Sequence, residues 1–374
     1  MKLSIVVIGL AVTSSWGNGH ATTYRALIGA LARRGHDVTF LERDVSWYRD
    51  HRDLVRPAAW TVELYQSLRD IPLRFGKLIR DADLVIIGSY VPEGIAIAEW
   101  ATAHARGITA FYDIDTPVTL AKLDHGTDYI SAAMIPRFDL YLSFAGGPVP
   151  GMIEENYGSP LACALYCSAD TSIYTPLQAA PKWTLGYLGT YSEDRQPVLG
   201  DLLLAPAREL LSEQFVIAGA QYPDHIAWPA NVARIEHLAP NQHPTFYAEQ
   251  RFTLNATRAD MKALGYSPSV RLFEAAACGT PIVSDRWPGI ETILKPSREI
   301  LLASGPHEVV EILRDMPEEQ RRTIAHNARR RVLAEHTSDH RASQLESYYV
   351  EASARRRRKT ARFPAARPMQ VAEL

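Results

Sequence analysis

Residues 255–291 read NATRADMKALGYSPSVRLFEAAACGTPIVSDRWPGIE, and they enclose a helix whose start, face and end follow from chemistry. Ser267 is a good N-cap and Pro268 suits the first helical position, so the spacing predicts a helix over 269–278. Its first amides, those of Ser269 and Val270, have no partner inside the helix and offer a site for a diphosphate. Glu274 lies nearly two turns beyond Ser267, hence on the same face, where a carboxylate can accept both hydroxyls of a ribose. A lone glutamate on a helix is more often a solvated residue, so that role needs support from the rest of the chain. Gly279-Thr280-Pro281 then ends the helix and turns into a buried strand.

Strand and helix alternate on both sides of this segment. Apolar runs at 3–10, 38–41, 84–87, 108–112 and 140–144 read as strands of one sheet, and 183–188, 215–218, 234–238, 252–254 and 281–284 as strands of a second. Helices are predicted between them, including one with Tyr24, Leu27, Ile28 and Leu31 on one face, one over 201–213, and a last stretch over 317–354. The Gly- and Pro-rich text from 146 to 182 reads as a connection. The expectation is an α/β protein of two doubly wound, Rossmann-like domains facing across a cleft, 1–165 and 166–351, with a basic, disordered tail at 352–374.

The chain has 374 residues, 47% of them hydrophobic and 22% charged, enough for two cores without covalent staples. Three cysteines cannot all pair and lack the ligand count of a structural zinc site, which points to a reducing cytoplasm. Residues 1–12 carry one lysine before an apolar run, but no small-residue cleavage site follows, so a buried first strand is expected rather than a leader. The net charge of −2 argues against a nucleic-acid partner. That figure hides an asymmetry. Basic and acidic residues number 15 and 18 over 1–165, 18 and 23 over 166–351, and 7 and 1 over 352–374. The tail, from Arg355 onward, is a candidate for peripheral contact with an anionic membrane, with simple solubilisation the plainer role.

LFEAAACGTPIVSD resembles the donor-binding helix of GT-B glycosyltransferases, and the longer string through Ile293 is similar to a bacterial group related to the CgeB spore-maturation proteins. TSSWGNGHATTYRALIGALARRGHDVTFLERD at 13–44, YDIDTP at 112–117 and GYLGTYSEDRQP at 186–197 extend the resemblance to about 1–349. It implies sugar transfer from a nucleotide-diphosphate sugar, without a metal or other cofactor, to an acceptor hydroxyl on a saccharide, a lipid-linked glycan or a small molecule. The resemblance makes the first domain the acceptor domain, the second the nucleotide-sugar domain, and Glu274 the ribose ligand. One position departs from the pattern: many retaining GT-B enzymes carry a first glutamate eight residues before the second, and Tyr266 stands there. It is expected to stack on the donor or to hydrogen-bond it instead.

Arg195 and Arg258 follow strand ends of the second domain, suited to neutralising a donor diphosphate, with Asn255 and Thr257 in support. Arg271 is assigned to the helix flank, and Ala218–Tyr222 to weak contact with the base. In the first domain, Gly17, Asn18 and Gly19 form a turn at the end of the first strand, and His20 carries an imidazole that can deprotonate a hydroxyl near neutral pH. The resemblance implies the same role, since inverting relatives often have a histidine in such a turn. Asp113 and Asp115 are rival bases; their DxD spacing also occurs in metal sites, here the lesser reading. Glu42 and Asp44 end the second strand, where contact with the acceptor and a role as solvated loop carboxylates are equally open readings. Three other readings stay open: an NAD-dependent enzyme using Gly17-x-Gly19 and Glu42, although Thr22 replaces the third glycine; a sugar-nucleotide epimerase of the same fold; and a binding module without catalysis.

Overall fold

The computed structural model describes residues 1–54 and 57–362, with side chains through 359. Seven parallel strands form the first sheet: β1 (Ser4–Gly9), β2 (Asp37–Arg43), β3 (Thr61–Tyr65), β4 (Leu84–Gly88), β5 (Ile108–Asp113), β6 (Leu140–Ser143) and β7 (Ala162–Ala164). They lie in the order β3-β2-β1-β4-β5-β6-β7. The second sheet holds β8 (Trp183–Leu188), β9 (Phe215–Ala218), β10 (Val232–Ile235), β11 (Gln250–Asn255), β12 (Ile282–Ser284) and β13 (Leu301–Leu302), ordered β10-β9-β8-β11-β12-β13. Each sheet starts in the middle, grows to one edge and then crosses back, so each has a switch point beside its first strand, where crossovers diverge and leave a crevice. Near-continuous apolar strands are what two helix-covered faces require: β1 and β4 are buried almost throughout, with Val7 of β1 aligned to Phe40 and Ile86.

Several elements differ from expectation. β3, β7 and β13 are additional, each short and at or near a sheet edge, where burial leaves a weak apolar signal. The segment expected as a connection contains the helix Val149–Tyr157 and β7, so only the chain from about 165 to 182 links the domains. The helix expected over 201–213 instead occupies 196–209, with a π-helical stretch at Gly200–Leu204. The last helical stretch breaks at His336-Thr337. There the chain pairs with Ala169, and Thr337 Oγ1 contacts His340 Nδ1 at 2.7 Å as the final helix, Ser338–Arg362, begins.

That final helix crosses back onto the first domain. Ala342 and Leu345 join the core that holds Leu27 and Leu31 of the first helix, Gly19–Arg33. Glu346 accepts from Arg34 at 2.6 Å and meets His36 Nε2 at 2.8 Å. The boundary at 351 thus falls inside a helix, and the tail is helical rather than disordered through Arg362. Arg355 donates to the Pro160 carbonyl at 2.7 Å, and Arg356 pairs with Asp139 at 3.1 Å. The remainder of the expected tail, 363–374, lies outside the described residues.

Candidate active site

A cleft of about 500 Å³ lies between the carboxyl ends of the two sheets and is walled by both domains. Its size suits a small-molecule substrate. On the first-domain side, Gly17, Asn18, Gly19 and His20 line it where β1 turns into the first helix. Asn18 caps that helix: its Oδ1 accepts from His20 N at 3.0 Å, and its Nδ2 donates to the Ser14 carbonyl at 3.2 Å. The turn is braced from outside by residues that sequence reading passed over. Ser15 donates to Asp53 through both N (3.1 Å) and Oγ (2.6 Å), and Arg25 pairs with the same carboxylate.

His20 Nε2 stands 3.5 Å from Asp115 Oδ2, while its Nδ1 has no partner among the described residues. Tyr90, at the end of β4, packs edge-on to the imidazole. Burial works to raise the Asp115 carboxyl, but His20, Arg258 and Tyr90 outweigh it and hold the group below the ordinary range. Asp115 is therefore an anion beside the imidazole, placed to orient the ring. Asp113 is not in the cleft. It is wholly buried, accepts from Thr119 (2.7 Å) and Tyr141 (2.5 Å), and burial pushes its pKa up to about 6. The DxD pair accordingly does not present two carboxylates to one site.

Glu42 and Asp44 are also corrected. Glu42 is fully buried and accepts from the amides of Val12 and Thr13 at 2.6 and 2.8 Å, which shapes the loop after β1 and leaves no carboxylate for a dinucleotide ribose. Asp44 pairs with Arg49 and Arg52; hydrogen bonding from Arg49 is the main reason its pKa falls to about 2.

On the second-domain side the helix is Val270–Ala277, with Ser269 rather than Ser267 at the N-cap. Ser269, Val270, Arg271 and Glu274 all line the cleft. Glu274 is 3% exposed and accepts from Tyr247 OH at 3.3 Å. His243 Nδ1 lies 3.9 Å from the same carboxylate oxygen and 3.1 Å from Tyr174 OH, so the helix His243–Ala248 and the interdomain segment together surround one acid. Arg195 lines the wall, donating to Tyr187 OH at 3.0 Å and the Thr190 carbonyl at 3.2 Å, while its buried Nε has no partner among the described residues. Arg258 lines it too, 3.3 Å from Asp194 and 3.8 Å from Asp115. Gly219, Ala220 and Gln221 complete this side.

Three expected donor contacts stand behind the wall. Asn255 is buried, with Oδ1 accepting from Ser269 Oγ (2.6 Å) and Arg271 Nη1 (3.0 Å) and Nδ2 donating to Ser284 Oγ (2.9 Å). Thr257 donates to Asp285 through N and Oγ1. Both fix the strand-to-helix geometry rather than line the cavity. Tyr266 is outside the cleft as well: its backbone, at φ 52°, accepts from Gly146 N, and its ring lies between Gly147 and Gly289. Conversely, Arg271 is no flank residue. It is 7% exposed, donates to the Leu188 carbonyl at 2.6 Å and stacks over Tyr187. Its position three residues before Glu274, on the same helical face, was the available signal.

A family model described as "Glycosyl transferase-like" matches residues 195–347. No curated protein matches the chain by sequence. Among solved structures, the sucrose-phosphate synthase of Thermosynechococcus elongatus is similar at 13% identity and TM-score 0.67, over 94% of this chain and 99% of that one. Anabaena HepE in complex with UDP and glucose matches at 14% identity and TM-score 0.66, over 92% and 99%. An alpha-glucosyltransferase in complex with UDP-glucose and DNA matches at 12% and 0.67, over 94% and 100%. At such identities the structural likeness establishes the fold, and the family model speaks for the second domain. The chain therefore has the two-domain GT-B fold, and its second half matches a glycosyl transferase-like family model.

Proposed function

We propose that the protein transfers a sugar from a nucleotide-diphosphate donor to an acceptor hydroxyl, with no metal or other cofactor. The observation that carries this reading is the polarity of the cleft: the His20–Asp115 pair enters from the first domain, and Glu274, Arg195, Arg258 and the start of the helix Val270–Ala277 enter from the second. Glu274 binds the ribose hydroxyls. The two arginines and the free amides hold the diphosphate and take up negative charge as the bond from the anomeric carbon to the phosphate oxygen breaks. His20 removes the acceptor proton while Asp115 steadies the resulting imidazolium. The solved neighbours in complex with UDP or UDP-glucose support UDP as the first nucleotide to test. The three free thiols suit a cytoplasmic setting, and the likeness of 255–293 to the CgeB-related group suits a bacterial saccharide, lipid-linked or small-molecule acceptor. Arg357, Arg358 and Lys359, exposed on the final helix, are the groups that would meet an anionic lipid surface.

Glu274→Ala tests the donor site. Hydrogen bonds to a charged group contribute about 1.5–3 kcal/mol each, so UDP affinity in calorimetry should fall at least tenfold, and transfer with it. Unchanged affinity and turnover would remove the ribose assignment. Nucleotide release that requires an acceptor separates transfer from epimerisation, which would yield a free sugar epimer without one.

A further inference from the structure

A line of charges crosses the cleft from one domain to the other. His20 Nε2 lies 3.5 Å from Asp115 Oδ2, the same oxygen lies 3.8 Å from Arg258 Nη1, and Arg258 Nε lies 3.3 Å from Asp194 Oδ2. Asp194 is fixed on the second domain by Ala259 N at 3.1 Å and by Ser192 Oγ. Arg258 thus has a carboxylate partner in each domain while lining the cleft that the donor diphosphate would enter. The two partners are held unequally. Asp194 receives Nε at hydrogen-bond distance, whereas the 3.8 Å approach to Asp115 is a looser ion pair. A guanidinium binds phosphate best through two parallel donors, and a diphosphate brings more charge than one carboxylate. Asp115 is therefore the partner that yields.

We propose that Arg258 is an exchangeable counter-ion: the donor diphosphate draws it away from Asp115, and Asp115, then left to His20, becomes able to hold the imidazolium that acceptor deprotonation creates. Before the donor arrives, Arg258 offsets the charge of Asp115 and the imidazole lacks a full counter-charge. The donor consequently completes the base on the opposite domain, and the order of substrates is donor first. Tyr90 and Asp113 also face Asp115, and neither supplies a cation to replace Arg258. Asp115 is here a positioning residue that acts through His20. This inference rests on the donor site proposed above.

The test is a double-mutant cycle on UDP binding, read by calorimetry on the full chain, with GDP and dTDP run in parallel. If Asp115 competes with phosphate for Arg258, Asp115→Asn should bind UDP more tightly, by about two- to fivefold on the scale of single ion-pair couplings, and should lower the donor KM while lowering kcat. A residue that merely braced the fold would cost affinity on removal. In an Arg258→Ala background the gain from Asp115→Asn should vanish. Asp115→Ala provides the same readout should the amide variant fold poorly. An Asp115→Asn affinity equal to or weaker than wild type overturns the exchange, as does a gain of equal size without Arg258, which would mark simple repulsion between carboxylate and phosphate. Wild-type protein that binds none of the three diphosphates would instead overturn the donor site itself, and the exchange with it.

Discussion

Asp113 and Asp115 lie two residues apart and meet opposite surroundings. β5 ends at Asp113, which stays within the sheet layer beneath Tyr141 and Thr119, whereas Asp115 has left the strand and faces the cleft just before a helix begins at Thr116. Sequence reading kept both as rival bases because both fall at the end of a strand, and two residues so spaced share a face only while the strand continues. The raised pKa of Asp113, about 6 against an unfolded value near 4, means that the folded protein holds this proton more tightly. Its contribution to stability is full below about pH 4 and is lost as pH rises through 6. Asp113→Asn should flatten that part of the stability profile, measured as urea midpoints from pH 4 to 7, and should retain transfer activity. A wild-type midpoint that rises with pH at the same rate in both proteins would contradict the buried-acid account.

At the scale of elements, Tyr266 joins the domains. A Cβ on Gly147 of the first domain or on Gly289 of the second would lie 2.4 Å from the tyrosine ring, and both glycines have positive φ, 55° and 92°. Gly147→Ala should therefore lower thermal stability through both overpacking and backbone strain, together about 1–3 kcal/mol. In a Tyr266→Ala background the overpacking part should disappear and only the strain remain, which melting curves of the single and double variants would separate. Much of the framework was legible in the sequence. Nine of the ten expected strands are present close to their expected places, because strands buried on both faces are apolar runs that need no context, whereas the one expected at 234–238 is the half-buried edge strand Val232–Ile235. Edge strands such as β13 are too short for periodicity, and the break at Thr337 depends on pairing with Ala169, far away in sequence. Glu274 and the two arginines could be placed by motif and strand end. The inward turn of Arg271 and the outward turn of Tyr266 depend on what lies opposite them, which no local pattern encodes.

For the whole molecule, the final helix makes one body of two domains that share a strand order. Its clasp through Glu346 is pH-dependent: hydrogen bonding from Arg34 is the main cause of a Glu346 pKa lowered to about 2 from 4.5. That stabilisation is present above about pH 4.5 and is lost as pH falls through 2. Glu346→Gln should reduce stability at neutral pH and remove this acid limb, as read by unfolding midpoints between pH 2 and 6; an unaltered profile would show the clasp to be energetically idle. The electrostatic asymmetry of the chain takes on a structural sense here, since Arg355 and Arg356, from its basic end, dock on a carbonyl and a carboxylate of the acidic first domain.

The return of the final helix bears on how the chain reaches its native state during synthesis. The first helix, Gly19–Arg33, leaves the ribosome well before the residues that cover it, which are encoded from 338 onward. Until translation passes that point, Leu27 and Leu31 lack Ala342 and Leu345, and Arg34 and His36 lack Glu346. The nascent first domain must wait with that face uncovered until the second domain has been made, and a gene fragment cut at the domain boundary would make the exposure permanent.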